Sequence, residues 1–405
     1  MKVVLAPDSF KESMSAATAA DVMKRGVLAV FPDADCVECP LADGGEGTGV
    51  ILARSLDAVS HVVKVGGALG EPVGAAFALA RNGTAIMDVA SVVGLGLTRS
   101  EDRDIMSATT RGVGELMTAA LDAGATRLVI GLGGSCTNDG GAGMLAALGA
   151  RLLDIDGRIC NPTPAELPEV ATVDLAPLLA KFPLVRTPSQ LASSVRDATI
   201  DIACDVDSPL LGATGASVVF GPQKGANAAD VKELDQALGH WASVLISAFS
   251  ELGESSDYRW TPGAGAAGGL GFALMMLGAR PRRGIELVIE ATGLDTEIAE
   301  ADLVLTGEGS FDAQSLTGKV PWGVAHAARR HHVPVIGFAG RVAAASDDLL
   351  VFPIVPGPVR LNDALADGAA NLKDAVERVM RVLADSGSWR RDEIGALAAR
   401  RGQSV

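Results

Sequence analysis

The chain has 405 residues, a formal net charge of −15 at pH 7, and a composition that is 48% hydrophobic but only 4% aromatic. A length above the ~250–300 residues at which a single hydrophobic core stops growing implies two domains. The acidic balance, with no stretch that concentrates Lys or Arg, argues against a nucleic-acid partner, whose phosphates require a basic face.

Residues 2–6 form the first expected strand. Pro7-Asp8 breaks this apolar start at once, so it is no secretion signal, and no later run approaches the ~20 apolar residues of a membrane helix. A soluble, cytoplasmic protein without a membrane partner is expected. Ser13 or Ser15 can cap a helix that reaches about Ala29. Asp8 and Lys11 fall where the strand ends, and in open parallel sheets ligands bind outside the carboxyl ends of strands. The plainer reading is an ordinary strand-to-helix turn. Residues 36–41 form a second strand, followed by the loop ADGGEGTG and a helix over about 48–56. Asp43 and Glu46 flank a Gly-Gly pair there. Two carboxylates so close together call for a compensating cation, so Mg²⁺ is considered, with simple capping by Asp43 as the competitor. Cys36 and Cys39 make a lone C-x-x-C, but positions three apart on a strand face opposite sides, and no second pair completes four ligands. The five cysteines lack framework spacing and read as reduced thiols.

From His61 the pattern changes. Residues 62–65, 74–80 and 84–89 read as strands joined by the turn signals Gly70-Glu71-Pro72 and Asn82-Gly83, which suggests a separate mixed sheet. A helix over about 109–123 leads into the most informative stretch, RLVIGLGGSCTNDGGAGMLAALG at 127–149. It reads as a buried strand, a glycine-rich turn and a helix. Gly133, Gly134, Gly140, Gly141 and Gly143 remove β-carbons that would keep a ligand from backbone amides, while Ser135, Thr137, Asn138 and Asp139 supply short polar side chains. The helix start adds the positive end of a dipole, so the loop suits phosphate or carboxylate. A tight turn with an N-cap would explain only two or three of those glycines.

Residues 151–154 and 157–159 suggest a hairpin, 162–188 are the least regular, and a strand at 199–204 ends in Asp205. Lys224 lies in the loop GPQKGA before a helix over about 228–252. Gly263, Gly265 and Gly268 match G-x-G-x-x-G on paper. No apolar strand precedes them, so a helix starting close against another backbone or an anion is the better reading. Toward the end, residues 302–306 form a strand, GEGSFDAQSLTGK a polar loop, 320–330 a helix, 334–339 and 350–355 strands, and 372–383 a helix. These units repeat the pattern of the N-terminus. The economical topology is α/β: one parallel, doubly wound domain made of residues 1–65 and 293–385, an inserted second α/β domain with a mixed sheet at 66–292, a site in the cleft, and a charged tail at 386–405.

Seven segments carry a family resemblance: APDSFKESMSA at 6–16, LADGGEGT at 41–48, GLGGSCTNDGGAG at 131–143, CDVDSPLLG at 204–212, GPQKGA at 221–226, GAGAAGGLG at 263–271 and TGEGSFDAQSLTGKVPWGVA at 306–325. In this order they resemble the bacterial glycerate kinases, and the resemblance runs from Met1 to about Leu383. It implies phosphorylation of D-glycerate by ATP with Mg²⁺, on a flavodoxin-like domain carrying an inserted α/β domain. The family often has Asn where Ser208 stands, and Phe311 and Ala313 vary a loop that is usually more polar. Related enzymes include both 2- and 3-kinases, and the resemblance leans toward the 2-kinases.

Phosphoryl transfer needs cations on the phosphates, a metal, and a group that orients or deprotonates the attacking hydroxyl. No P-loop is present, since Gly318-Lys319 is followed by Val320 and Ala313 stands where its first glycine belongs. Lys11, Lys224 and Lys319 are the candidate cations for phosphate or carboxylate. Asp43 and Glu46, or Glu308 and Asp312, are candidate Mg²⁺ ligands. Asp8, Asp139 and Asp205 are candidates for orienting or deprotonating glycerate. Ser9, Gly133, Gly134, Ser135, Asn138 and Gly265 complete the expected binding set. The expected partners are glycerate and ATP, and a homodimer stays open. Two rival functions are a kinase for another small hydroxy acid and a non-catalytic sensor of organic anions.

Overall fold

Val3, Val4 and Leu5 of the opening strand Lys2–Leu5 (β1) are fully buried, the pattern of a parallel strand covered on both faces. The computed structural model describes residues 1–41, 48–181, 199–253, 256–316 and 318–385. Ser15 caps the helix Ala16–Leu28 by accepting from Thr18 N at 3.1 Å, and Asp35–Glu38 (β2) then lies parallel to β1. After the helix Thr48–Ser55 come Val59–Gly66 (β3), Pro72–Leu79 (β4), Thr84–Asp88 (β5) and Arg127–Gly131 (β6). Arg151–Leu153 (β7), Thr172–Asp174 (β8), Thr199–Ala203 (β9) and Arg280–Arg282 (β10) follow. The last strands are Leu303–Phe311 (β11), Val335–Val342 (β12) and Leu350–Pro353 (β13). Among the described residues no helix is long and apolar enough to cross a membrane.

Contacts divide the chain into two units, Met1–Leu52 with Gly284–Val405, and Ala53–Arg283. The divisions fall before residue 65 and before residue 293. β3 pairs with β4 along its whole length and so belongs to the second unit, while the helix Gly284–Thr292 packs Ile285 against Gly323 of the first.

The first unit holds a five-stranded sheet in the order β13-β12-β11-β1-β2, with every neighbouring pair parallel. Numbered by appearance within this unit the order is 2-1-3-4-5, the flavodoxin-like doubly wound arrangement, whose order reverses between its first and third strands. Those two strands are β1 and β11. Leu5, Met23, Leu305, Phe338 and Val376 form part of its core. β11 is longer than the sequence suggests. The segment expected as a polar loop from Gly307 stays in the sheet through Phe311, because β12 pairs with it as far as Phe311 opposite Val342. Sheet hydrogen bonding thus overrides the local polarity of GEGSF and puts Glu308 on a strand.

The second unit has a six-stranded mixed sheet, β10-β9-β6-β5-β4-β3, in which β3, β4 and β5 are antiparallel and the remaining pairs parallel. The Asn82-Gly83 hairpin turn is present, with Gly83 at φ +82°. The hairpin expected from residues 151–159 forms differently: β7 pairs with β8, and only a single bridge joins Leu153 to Ile159. β8 supplies three partners in register, Thr172, Val173 and Asp174, to form the ladder.

Residues 1–52 supply only β1 and β2 of the five-stranded sheet. An isolated 1–52 fragment is therefore expected to show no cooperative thermal transition by circular dichroism, and a sigmoidal melt would contradict this sheet assignment.

Candidate active site

In the first unit the chain leaves β1 as Ala6-Pro7-Asp8-Ser9, and Asp8 N donates to Gly307 O of β11 at 2.8 Å. Ser9 N in turn donates to Asp8 Oδ1 at 2.6 Å, so the carboxylate is fixed by its own turn. A cavity of about 620 Å³ opens here, lined in part by Asp8, Ser9, Lys11, Glu308, Asp312 and Lys319. It lies at the carboxyl ends of β1 and β11, where the strand order reverses and where ligands of such sheets are expected. The backbones are packed tightly. A β-carbon on Gly340 would come within 2.6 Å of Gly309 O, so glycine is required for β12 to run this close to β11. Lys319 is the residue preceding the helix Val320–Arg330, whose positive dipole end adds to its ammonium charge.

Glu308 is 5% exposed, and its Oε1 has no hydrogen-bond partner among the described residues. Its Oε2 is 3.9 Å from Lys319 Nζ. Burial pushes the Glu308 carboxyl up to about 7; the Ser315 hydroxyl and Lys319 pull it down, and the charges of Asp8 and Asp312 push it further up. Asp312 is held in turn by its amide, which donates to Ser315 Oγ at 3.0 Å. The result is a basic carboxylate with an open acceptor atom beside Lys319.

The glycine loop of the second unit uses its polar side chains inward. Asp139 is fully buried and accepts from Thr110 N at 2.7 Å, Thr110 Oγ1 at 2.8 Å, Thr109 Oγ1 at 3.3 Å, and Gly141 N and Gly143 N at 3.1 Å each. These bonds tie together the starts of the helices Arg111–Asp122 and Ala142–Leu148. Both oxygens are occupied away from solvent, so here the side chain braces the loop. Burial pushes its carboxyl up, against these donors. Lys224, expected as a phosphate cation, is 3% exposed and donates to Thr137 O at 2.8 Å and Ser135 Oγ at 3.1 Å. Burial lowers its pKa to about 8. It braces the loop from inside. Asn138 Nδ2 donates to Ser217 Oγ at 3.0 Å, another internal strut.

Gly133 and Gly134 remain exposed at the tip of the same loop, with Gly134 at φ +71°. Asp205 is exposed after β9. Gly265 serves packing, because a β-carbon there would lie 2.2 Å from Pro209 O. Asp43 and Glu46 lie outside the described residues. The structure thus gathers Asp8, Ser9, Lys11, Glu308, Asp312 and Lys319 in one cavity and gives Ser135, Asn138, Asp139 and Lys224 to the framework of the other loop. Ser310 and Arg341 also line the cavity and were not expected. Arg341 lies two residues after 339, where the sequence pattern ends the strand; the rule that ligands meet strand carboxyl ends is the signal that would have found it.

Hard oxygen donors from Asp8, Glu308 and Asp312 are the right chemistry for Mg²⁺. Among the described residues no three acidic, His or Cys side chains converge to hold an ion by themselves. This donor set therefore fits an ion that keeps waters and phosphate oxygens as its remaining ligands, the usual state of Mg²⁺ in phosphoryl-transfer sites.

A sequence model of the family described as "Glycerate kinase family" matches residues 3–384. A glycerate kinase of Bacillus subtilis (strain 168) is 45% identical, over 95% of this chain and 97% of its own length. A glycerate 2-kinase of Escherichia coli (strain K12) is 42% identical, over 95% of this chain and 98% of its own. A crystal structure from Salmonella typhimurium LT2, described as a candidate glycerate kinase 2, superposes with a TM-score of 0.78 at 40% identity, covering 96% of this chain and 99% of its own.

Glu308 gives the site a measurable signature. Its pKa in the folded state, about 7, lies above its ordinary value of 4.5, so the folded protein holds the extra proton and stability falls as pH rises through that interval. Glu308→Gln removes the dependence. Its Tm relative to wild type is expected to be higher at pH 8 than at pH 5, read by calorimetry, and a difference that is flat across this range would contradict the burial assigned to Glu308.

Proposed function

The chain belongs to the glycerate kinase family, and from that premise we propose that it transfers the γ-phosphoryl group of ATP to D-glycerate, giving 2-phospho-D-glycerate. The observation that carries this reading is the cavity that collects two lysines and three carboxylates at the reversal of the parallel sheet. The covalent chemistry asks little of a protein here; catalysis is positioning and charge stabilisation.

Lys11 and Lys319 bind phosphate oxygens and offset the negative charge that spreads over them as the phosphoryl group moves. Asp8 and Asp312 would hold Mg²⁺, which would neutralise phosphate charge. Glu308 accepts the proton of the attacking hydroxyl at its open Oε1. The exposed amides at Gly133 and Gly134 offer a second anion site. The 2-position is supported by the name of the E. coli relative, a glycerate 2-kinase. The five cysteines, all free, suit the cytoplasm, where thiols stay reduced.

An ADP-release assay with D-glycerate, using L-glycerate and glycerol as controls, tests the reaction itself; ADP release with no dependence on D-glycerate would dismiss the reading. An enolase-coupled assay run with and without phosphoglycerate mutase tests the position. Signal without mutase is expected, and strict dependence on mutase would reassign the product to 3-phosphoglycerate. Lys11→Ala is expected to lower kcat by on the order of 10²–10³ with a smaller change in KM, as for a donor used mainly in the transition state. A rise in KM alone would reduce Lys11 to a binding residue.

A further inference from the structure

The cavity of the first unit is larger and more divided in character than a small hydroxy acid requires. At about 620 Å³ it falls within the ~300–1,000 Å³ of sites that enclose drug-sized molecules, whereas glycerate has only three carbons. Its charged wall is already described. A further part of the lining is apolar and comes from the segment after β13, with Val355, Pro358, Val359 and Leu361. Val359 is 53% exposed and Leu361 71% exposed, and neither joins a described core cluster. Two prolines, Pro356 and Pro358, restrict the backbone of this segment, so the aliphatic surface is presented with little conformational freedom left to lose.

Large aliphatic side chains left in water in the lining of a cavity that also holds Lys11 and Lys319 match a ligand with a flat apolar end and a polyanionic end. We propose that Val355, Pro358, Val359 and Leu361 form the nucleobase subsite of the phosphoryl donor. The base packs on this wall, and its phosphates reach Lys11 and Lys319. The assignment rests on the proposed kinase reading and adds to it which residues grip the donor. It places the nucleotide, rather than the acceptor acid, in the apolar half of this cavity.

The test uses the full chain and two ligands that differ in the base. Titration calorimetry in the presence of Mg²⁺ is run with ADP and with inorganic tripolyphosphate, on wild type, Val359→Ser, Leu361→Ser and the double variant. The altered side chains are exposed, so melting temperatures should stay close to wild type, and either single variant serves if the double one does not fold. The double variant is expected to bind ADP about tenfold more weakly, with tripolyphosphate binding unchanged within about twofold. Equal weakening of both ligands, ADP binding that is unaffected, or a wild type that does not bind ADP would each overturn the subsite. So would a raised KM for D-glycerate with ADP affinity intact, which would give the wall to the acid. ADP binding that shows the expected pattern in an enzyme without glycerate turnover would uphold the subsite and dismiss the substrate instead.

Discussion

The parallel pairing of β1 with β11 is the constraint on which the first unit depends. Val3, Val4 and Leu5 stand opposite Leu303, Val304 and Leu305, joining residues 300 positions apart in sequence. The pairing continues past the strand as Ala6 N to Leu305 O and Asp8 N to Gly307 O, both 2.8 Å, and Thr306 Oγ1 closes it on Ala6 O at 2.8 Å. Closing so long a loop carries a large entropic cost, and burial of both strands on both faces offsets it. The functional consequence is local. This one register sets Asp8 beside Glu308 at the mouth of the cavity.

Burial decides what each charged candidate can do. Lys224 lies in a motif as suggestive as those of Lys11 and Lys319, yet its ammonium is enclosed and spent on Ser135 and Thr137, while the other two line an open cavity. Asp139 and Glu308 differ in the same way. Both are buried carboxylates, but Asp139 is saturated by amides and hydroxyls, whereas Glu308 keeps an oxygen without a partner. A buried acceptor without a donor is costly, and such a cost is commonly retained where a ligand will supply the missing bond.

Several readings from local pattern hold because their physics is local. The Ser15 cap, the Asn82-Gly83 hairpin, and the glycine turn between a buried strand and a helix at 127–149 depend on residues within a few positions of one another. Others fail for the opposite reason. Residues 307–311 look like loop because they are polar and rich in glycine, and become strand because β12 supplies hydrogen bonds from thirty residues away. β7 finds its partner in β8 instead of in its neighbour, again through a ladder that local pattern does not display.

What the sequence determined by itself was the class of the protein: alternating aliphatic strands and capped helices dictate an α/β chain, and seven ordered motifs carry the family. It also marked most of the cavity's charged residues: Asp8 and Lys11 at a strand end, and Glu308, Asp312 and Lys319 in a polar loop before a helix. Which of the marked residues face the cavity was decided only by tertiary structure. Sequence records that a lysine or aspartate is present beside glycines, but not whether the fold turns it toward solvent or encloses it. Arg341 and the apolar segment after β13 enter the site for that same reason, since they reach the cavity through the order of strands in the sheet.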